Sequence, residues 1–243
     1  MRIGIVSDVH GNLTALEAVI EDLTRAGTDV VVNAGDLVGT GPRPAEVIDR
    51  VVGLGWPGVV GNTDEVLWKP EPLKDLAAKL PTLKATWDIV FDDVARTQAM
   101  IGQTRTAWLR ELPAQCTVSD VSIVHASPGN PWKAPAEAAP DEDLVRAYAE
   151  LQSPVVVYGH IHVPFYRGLP GFVVANAGSV GLPYDGDPRA SYLVIDDRQV
   201  TIHRVEYDVE AEVRALRAHK HPQRDWIATI LRTARYIPPP APA

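Results

Sequence analysis

Cysteine, methionine and phenylalanine are scarce in this chain of 243 residues, which contains one Cys, two Met and three Phe. The single Cys116 excludes an intrachain disulfide, and we expect it to be a small core residue rather than a nucleophile. No apolar run is long enough to span a bilayer. Asp8 interrupts the first apolar run too early for a secretory signal peptide. The sequence therefore predicts a cytoplasmic protein that does not associate with membranes.

Positive charge is also in short supply. The chain has 23 Lys and Arg against 31 Asp and Glu, a formal net charge of −8. Proteins that hold nucleic acid by broad electrostatic attraction need clustered basic side chains facing the phosphates. The composition therefore argues against that class, and any chemistry on a phosphate group would need a local source of positive charge, such as bound metal ions.

The first 60 residues show alternating strand and helix patterns. A strand is predicted over residues 2–7, followed by an amphipathic helix that begins at Asn12 or Thr14 and runs to about Arg25. A short apolar strand over 29–34, a helix over 44–54 and a strand over 57–60 follow. Such βαβαβ alternation predicts a largely parallel sheet covered by helices, with the functional site in loops at the carboxyl ends of the strands.

The rest of the chain divides into a helical part and a β-rich part. Residues 64–113 have helical periodicity broken by prolines and are predicted to form an insert, in which Trp68, Trp87 or Trp108 could wall a cleft. Strands are then predicted over 116–119, 121–125, 154–158, 163–167, 172–176, 191–196 and 199–206. We expect one domain over residues 1–207 and a C-terminal extension over 208–243, with two helices and a flexible Pro-rich tail.

Metal-binding side chains follow the predicted strands, and single glycines beside them allow sharp turns. In an extended segment, residues i and i+2 point to the same side, so Asp8 with His10, and His160 with His162, should each aim two donors at one point. Mixed imidazole and oxygen donors favour Mn, Fe, Zn, Co or Ni over Ca or hydrated Mg. Two such ions about 3.5–4 Å apart would form a clamp in which a bridging hydroxide attacks a phosphorus centre. The candidate donors in these loops are Asp8, His10, Asp36, His125, His160 and His162, together with the loops 61–64 and 176–179.

The order of these motifs resembles the calcineurin-like metallophosphoesterase superfamily over about residues 1–207. Its signature D-x-H, G-D, G-N-[HTC]-[DE], H and G-H-x-H matches SDVHG, GD, GNTD, His125 and GHIH here. The stretches GDLVGTGPRPAEVI and NAGSVGLPYDGDPRASY further resemble small bacterial and archaeal phosphodiesterase-like members. The resemblance implies an α/β fold in four αββα layers, with two mixed β-sheets flanked by helices.

The resemblance also implies a ligand set and partners. One divalent transition-metal ion would be held by Asp8, His10, Asp36 and His162, and the other by Asp36, Asn62, His125 and His160, with Asp36 bridging. Manganese is favoured, with Fe, Ni, Co or Zn as alternatives. The partner would be a small-molecule or nucleotide phosphoester, and a homodimer is compatible with the resemblance.

Thr63 departs from the pattern, because many relatives carry at this position a histidine that resembles a general acid. A threonine hydroxyl can hydrogen-bond a phosphate oxygen but is a poor proton donor near neutral pH. Asp64 is expected to fix its loop, with a role as acid if its pKa is raised. Asn12 and Arg189 are further substrate-binding candidates, although Asn12 suits a helix N-cap and Arg189 a structural ion pair.

These features predict a metal-dependent phosphodiesterase acting on a small or nucleotide-like substrate. A phosphomonoesterase, including a protein or dinucleotide polyphosphate phosphatase, is one alternative, and the missing histidine counts against it. A metal-binding scaffold with the same fold is another, and the complete ligand set counts against it. A nuclease is a third alternative, which the acidic composition disfavours.

Overall fold

The computed structural model describes residues 1–239 and contains nine strands and eight α-helices over that range. The strands are β1 (Arg2–Val6), β2 (Val30–Asn33), β3 (Gln115–Val118), β4 (Val121–Val124), β5 (Val155–Tyr158), β6 (Phe165–Leu169), β7 (Phe172–Asn176), β8 (Ala190–Asp196) and β9 (Gln199–Val205). The helices are α1 (Leu13–Ala26), α2 (Pro44–Leu54), α3 (Asn62–Glu65), α4 (Glu71–Lys79), α5 (Lys84–Arg110), α6 (Asp141–Tyr148), α7 (Val209–Ala218) and α8 (Arg224–Thr233).

The strands form two mixed sheets. The four-stranded sheet has the order β2-β1-β8-β9, and the five-stranded sheet has the order β3-β4-β5-β7-β6. The pair β1/β2 is parallel, and so are β4/β5 and β5/β7, whereas the other pairs are antiparallel. Parallel strands end at the same edge of a sheet, so the loops after β1, β2, β4 and β5 can meet.

The core lies in three layers of apolar contact. Alternate residues of β1 and β5, such as Ile5 and Val157, pack between the two sheets. The opposite face of the four-stranded sheet packs against α1 and α2, and that of the five-stranded sheet packs against Leu144 and Tyr148 of α6. Strands buried on both faces need continuous apolar runs such as those of β2 and β5. The predicted αββα sandwich of two mixed sheets is therefore confirmed.

Two local expectations require correction. Residues 57–60 do not form a regular strand but make a single parallel bridge between Asn33 and Gly58. Pro57 has no N–H to donate, and the N–H of Val60 donates to the carbonyl of Pro113 instead. In addition, residues 141–148 form α6, a helix that was not predicted. Pro140 followed by three acidic residues is a typical helix start.

The predicted insert is helical, as α3, α4 and α5 occupy most of residues 62–110, and α5 is interrupted at Gly102, whose φ is 69°. Over residues 1–239, no helix has both the length and the apolar character needed to cross a membrane. The domain boundary at residue 207 stays a prediction. The expected flexible tail concerns residues 238–243, of which 240–243 lie outside the described residues.

The helices α7 and α8 pack on each other and on the body of the protein. Glu212 of α7 is buried, and its carboxylate accepts hydrogen bonds from the hydroxyl of Thr14, at 2.6 Å, and from the guanidinium of Arg43. These contacts join α7 to the start of α1 and to the loop before α2. The C-terminal helices are thus attached through a buried charged cluster as well as through apolar packing.

Candidate metal centre

Six of the seven candidate ligands lie in loops that follow parallel strands, and Asn62 begins helix α3. Five of the seven adopt a left-handed backbone. The φ angles are 56° at Asp8, 49° at His10, 56° at Asp36, 67° at His160 and 58° at His162. Non-glycine residues seldom occupy this region, and where they do the strain often marks a functional site. The predicted pairs, Asp8 with His10 and His160 with His162, do not converge through an extended chain, so that expectation is wrong. Sharp left-handed turns set the directions of these side chains.

The first group of donors contains Asp8, His10 and His162, all buried. The Nδ1 of His162 donates to the carbonyl of Leu182 at 2.5 Å, so in the neutral ring Nε2 carries a lone pair. This Nε2 lies 3.1 Å from Asp8 Oδ1 and 3.2 Å from the Nε2 of His10. Within residues 1–239, Oδ1 of Asp8 has no hydrogen-bond partner, and it lies 3.8 Å from Nε2 of His10. Lone pairs thus converge on one point, as in a cation site.

A second group of donors contains Asp36, Asn62, His125 and His160. The Nδ1 of His125 donates to the carbonyl of Ala34 at 2.8 Å, so in the neutral ring its Nε2 also carries a lone pair. The amide oxygen of Asn62 lies 2.9 Å from this Nε2 and 2.8 Å from Nδ1 of His160. With the amide turned over, its nitrogen would donate to both rings. With its oxygen facing inward, the amide suits a cation site. The Asn62 oxygen and the ring nitrogens of His125 and His160 can then each give an electron pair to a metal ion.

Asp36 lies between the two groups. Its Oδ2 is 3.7 Å from Nε2 of His10, and its Oδ1 is 3.4 Å from Nε2 of His125. Asp8 also contributes to both clusters of donor atoms, Asp8/His10/His162 and Asp8/Asp36/His125, within each of which the atoms lie within 4.8 Å of one another. Among residues 1–239, no Lys or Arg forms an ion pair with either carboxylate. Buried carboxylates need a compensating charge, so these residues fit divalent metal ions.

The electrostatics of the centre favour positive charge between the ligands. Burial raises the pKa of Asp8, but His162 and His10 outweigh burial and hold that pKa well below its usual value. Burial lowers the pKa of His125, yet Asp36 and Asp8 raise it to about 9. Burial and the neighbouring His125 lower the pKa of His160 to about 4. At neutral pH, Asp8 is therefore ionised, His160 presents an unprotonated nitrogen, and a cation would take the place of the extra proton on His125.

Asp64 organises the loop that carries Asp36. Its buried carboxylate accepts backbone N–H bonds from Asp36 at 2.9 Å, Leu37 at 3.1 Å, Val38 at 3.3 Å and Gly61 at 3.0 Å. Burial and the charge of Asp36 raise its pKa to about 6, while these N–H donors act in the opposite direction. This environment agrees with the loop-fixing role expected from the sequence.

We expect Asp64→Asn to lower the free energy of unfolding by about 3 kcal/mol, because an amide nitrogen would then face backbone N–H groups that lose their acceptor. Urea unfolding followed by circular dichroism would measure the change. The matched control is Asp75→Asn on the exposed face of α4, for which we expect a change within about 0.5 kcal/mol. Equal unfolding midpoints for both variants would contradict the role assigned to Asp64.

Thr63 lies at the edge of the second donor group. Its backbone N–H donates to Asp36 Oδ1 at 2.9 Å, and its hydroxyl donates to the carbonyl of Val38 at 2.9 Å. The hydroxyl proton is therefore engaged within the protein, and only the oxygen lone pairs are free to meet another group. This arrangement weakens the case for Thr63 as a proton donor to a phosphate.

The other two substrate-binding candidates make structural contacts. Asn12 caps α1 by accepting the N–H of Ala15 at 3.0 Å, and its amide donates to the carbonyl of Gly181 at 3.0 Å. Arg189 is half-exposed, and its guanidinium donates to Asp187 at 2.6 Å. Neither side chain forms a hydrogen bond with the seven candidate ligands in the described part of the chain. Their role in substrate binding stays a prediction.

Three supporting residues received no role in the sequence analysis. Ser7 donates its hydroxyl to Asp8 Oδ2 at 2.5 Å, and Ser179 donates to the carbonyl of Asp8 at 2.7 Å. Tyr184 stacks on His162 with ring centroids 4.4 Å apart and an interplanar angle of 9°. All three lie in glycine-containing loops that could be recognised in the sequence. The ligand that each one orients is visible only in the folded structure.

A cavity of about 150 Å³ opens beside Asn62 and Thr63. Within the described part of the chain, the tryptophans that line it are Trp132, from the loop after β4, and Trp226, from α8. Trp68, Trp87 and Trp108 of the insert, which the sequence offered as possible walls of a cleft, do not line this cavity. The insert contributes smaller apolar side chains, because its tryptophans pack against the core.

Comparison with known proteins agrees with this geometry. An uncharacterized protein of Methanocaldococcus jannaschii is 29% identical over 96% of this chain and 98% of its own. Phosphodiesterase YfcE of Escherichia coli K12 is 26% identical over 83% and 91% of the two chains. The crystal structure of a metallophosphoesterase from Sphaerobacter thermophilus, 29% identical, superposes with a TM-score of 0.79 and covers 96% of this chain and 99% of its own. Residues 1–199 match the model of the calcineurin-like phosphoesterase superfamily domain, and the chain therefore belongs to that superfamily.

Proposed function

We propose that this protein is a dinuclear-metal-dependent phosphodiesterase that hydrolyses a small or nucleotide-like phosphodiester. The observation that carries the proposal is the position of Asp36, whose two carboxylate oxygens face His10 on one side and His125 on the other. One buried carboxylate between two sets of lone pairs is the arrangement that two neighbouring cations require. Membership of the superfamily supplies the reaction class, hydrolysis of a phosphoric ester.

The seven side chains divide into two sets of ligands in this proposal. One ion is held by Asp8, His10, Asp36 and His162, and the other by Asp36, Asn62, His125 and His160. When bound, the ions supply Lewis acidity, which activates water and neutralises charge on the phosphate oxygens. Manganese is the favoured metal, with Fe, Ni, Co or Zn as alternatives, because imidazole and carboxylate donors suit them.

The other residues of the centre act as positioning residues. Ser7 and Ser179 hold the two ends of the Asp8 residue, its carboxylate and its carbonyl. The carbonyls of Leu182 and Ala34 set the tautomers of His162 and His125, so that the neutral rings direct an unprotonated Nε2 inward. A ligand set held in this way needs little rearrangement when a metal or a phosphate binds.

A diester is favoured over a monoester because of residue 63 and because of one relative. Phosphodiesterase YfcE is similar over 83% of this chain. Thr63 engages its hydroxyl proton with Val38 and so does not replace a histidine acid. Hydrolysis then depends on the metals and on a leaving group that departs without a proton donor.

The experiment that tests this function uses metal-stripped protein re-supplied separately with Mn, Ni, Co, Zn or Mg. Turnover of bis-p-nitrophenyl phosphate is compared with turnover of p-nitrophenyl phosphate. We expect metal-dependent hydrolysis with a preference for the diester. Preference for the monoester would replace the proposal with a phosphatase, and two bound ions without turnover of either ester would replace it with a metal-binding scaffold.

We expect Thr63→His to raise kcat/KM for a diester with a poor leaving group by about 10²-fold, since general acids typically contribute about 10²–10⁴-fold. For p-nitrophenyl esters, whose leaving group needs no proton, we expect a change of less than about threefold. The control variant Thr63→Val removes the hydroxyl without adding an acid and should help neither substrate. An equal gain for both leaving groups would contradict the assigned cause.

A further inference from the structure

The cavity beside the metal centre has a composition suited to binding. It begins at Asn62 and Thr63 and is walled by apolar side chains of the insert, including Val66, Leu67 and Val94. An apolar cavity of about 150 Å³ in another protein takes up a benzene molecule, so this one has room for an aromatic ring. A group bound here could be part of the same molecule as a phosphate at the centre, because Asn62 borders both.

Two buried residues that line this apolar space have a polar atom that is poorly satisfied. Thr97 and His221 are each only 1% exposed. Within residues 1–239, Oγ1 of Thr97 has no hydrogen-bond partner, and Nε2 of His221 lies 3.5 Å from Oδ1 of Asp93, at the limit of a hydrogen bond. The backbone N–H of Gln223 donates to Nδ1 of His221 at 3.1 Å, so the ring hydrogen lies on Nε2. An unpaired buried hydroxyl, and a buried donor whose carboxylate neighbour is 3.5 Å away, cost free energy that a ligand bonding to both would recover.

Asp93 adds a charged acceptor to the same wall. Its carboxylate accepts the N–H of Thr40 at 2.8 Å and the guanidinium of Arg96 at 2.9 Å, and Oδ1 lies 3.5 Å from Nε2 of His221. Three residues with polar side chains, His221, Thr97 and Asp93, thus line a cavity whose other walls are largely apolar. This combination matches the edge of a nitrogen heterocycle, which carries N–H donors and carbonyl or ring-nitrogen acceptors side by side.

Two tryptophans with fixed orientations complete the enclosure. Nε1 of Trp132 donates to Glu65 at 2.8 Å, and Nε1 of Trp226 donates to the carbonyl of Ile237 at 2.9 Å. Their polar edges are therefore bonded elsewhere, and the cavity receives ring surface suited to a planar group. His221 and Trp226 both lie beyond residue 199, where the family match ends. The C-terminal extension thereby supplies part of the cavity wall.

We propose that this cavity is a nucleobase pocket, so that the substrate is a phosphodiester carrying a nucleoside on one side of the reacting phosphate. The inference rests on the proposed phosphodiesterase function. Thr97, His221 and Asp93 bind the hydrogen-bonding edge of the base, and the tryptophans and aliphatic side chains cover its faces. The C-terminal helices select the substrate by closing this pocket.

The test compares two esters with the same leaving group, thymidine 5′-(p-nitrophenyl phosphate) and methyl p-nitrophenyl phosphate. The readout is the ratio of their kcat/KM values in the metal-loaded protein. We expect the wild type to favour the thymidine ester by at least about tenfold, and Thr97→Val or His221→Phe to reduce this ratio by about three- to tenfold each. Thr104→Val, an exposed position on the same helix α5, is the matched control and should leave the ratio unchanged.

A binding measurement separates this inference from the proposed activity. Calorimetric titration of thymidine into metal-free protein should show saturable binding that Thr97→Val weakens, whereas a methyl deoxyriboside without a base should not bind. The nucleobase pocket would be overturned if both esters turned over at equal rates, or if neither variant altered a thymidine preference. Either result would still support the proposed phosphodiesterase activity. Thymidine binding with no turnover of either ester would support the pocket and overturn the activity.

Discussion

Asp36→Asn is expected to lower phosphodiester hydrolysis by at least about 10³-fold, equivalent to about 4 kcal/mol of activation free energy. The amide introduced by this substitution would retain an oxygen that accepts the N–H of Thr63, which Asp36 Oδ1 now accepts at 2.9 Å, so we expect the fold to persist. What disappears is the negative charge between His10 and His125. Without that charge, two neighbouring cations would repel each other with less compensation.

Metal content and thermal stability provide the measurements for this variant. Wild-type protein should retain about two ions after dialysis, and each bound ion should add about 2.7 kcal/mol of stability at a metal concentration about 100 times its dissociation constant. Asp36→Asn should show neither property in full, whereas the exposed Asp75→Asn should show both. Full metal content together with less than a tenfold loss of activity would refute the bridging role of Asp36.

Gly61→Ala is expected to lower the free energy of unfolding by about 2–4 kcal/mol and activity by at least about 10²-fold. A Cβ at this position would lie 2.0 Å from Asp36 Oδ1 and 2.3 Å from the backbone nitrogen of Asp36. The φ of Gly61 is −97°, so the restriction is steric crowding rather than backbone strain. The added methyl group must push Asp36 out of its position between the two donor groups.

The matched control for this variant is Gly53→Ala. Gly53 lies in α2, and a Cβ there would meet no atom within 4 Å in residues 1–239 outside its own helix backbone. Alanine should therefore stabilise the protein by about 0.5–1 kcal/mol through helix propensity and leave activity unchanged. Chemical unfolding and kcat/KM for an activated diester would be measured for both variants. Similar stability and activity for Gly61→Ala and Gly53→Ala would show that the close approach to Asp36 does not matter.

Several features of the centre could be predicted from local sequence because they depend on residues close together in the chain. The runs of Val in β2 and β5 are continuous because both faces of these strands are buried, and this predicted the layered sheets. Polar residues directly after those strands predicted which loops meet. The assignment of Asp36 to both metal ions came from the resemblance of the ordered motifs to a family.

Other features depended on contacts between distant segments, which local patterns do not encode. His221 belongs to none of the motifs found in the sequence, yet in the folded chain it is 1% exposed and lies beside Asp93. Residues 57–60 looked like a strand, but the hydrogen bond from Val60 to Pro113 leaves the pairing with β2 as one bridge. The turns at Asp8 and His160 are left-handed although their spacing suggested extended chain.

Fold class and the choice of candidate metal-binding side chains could be taken from the sequence alone, because hydrophobic periodicity and ordered motifs are local properties of the chain. Only the folded structure determines the directions of those side chains and the residues that orient them. The same holds for the walls of the neighbouring cavity. The physical reason is that side-chain direction and burial depend on long-range packing. Tyr184 reaches His162 after the chain has passed through β6 and β7, and Trp226 joins Thr63 in one cavity wall when the C-terminal helices pack near the N-terminal loops.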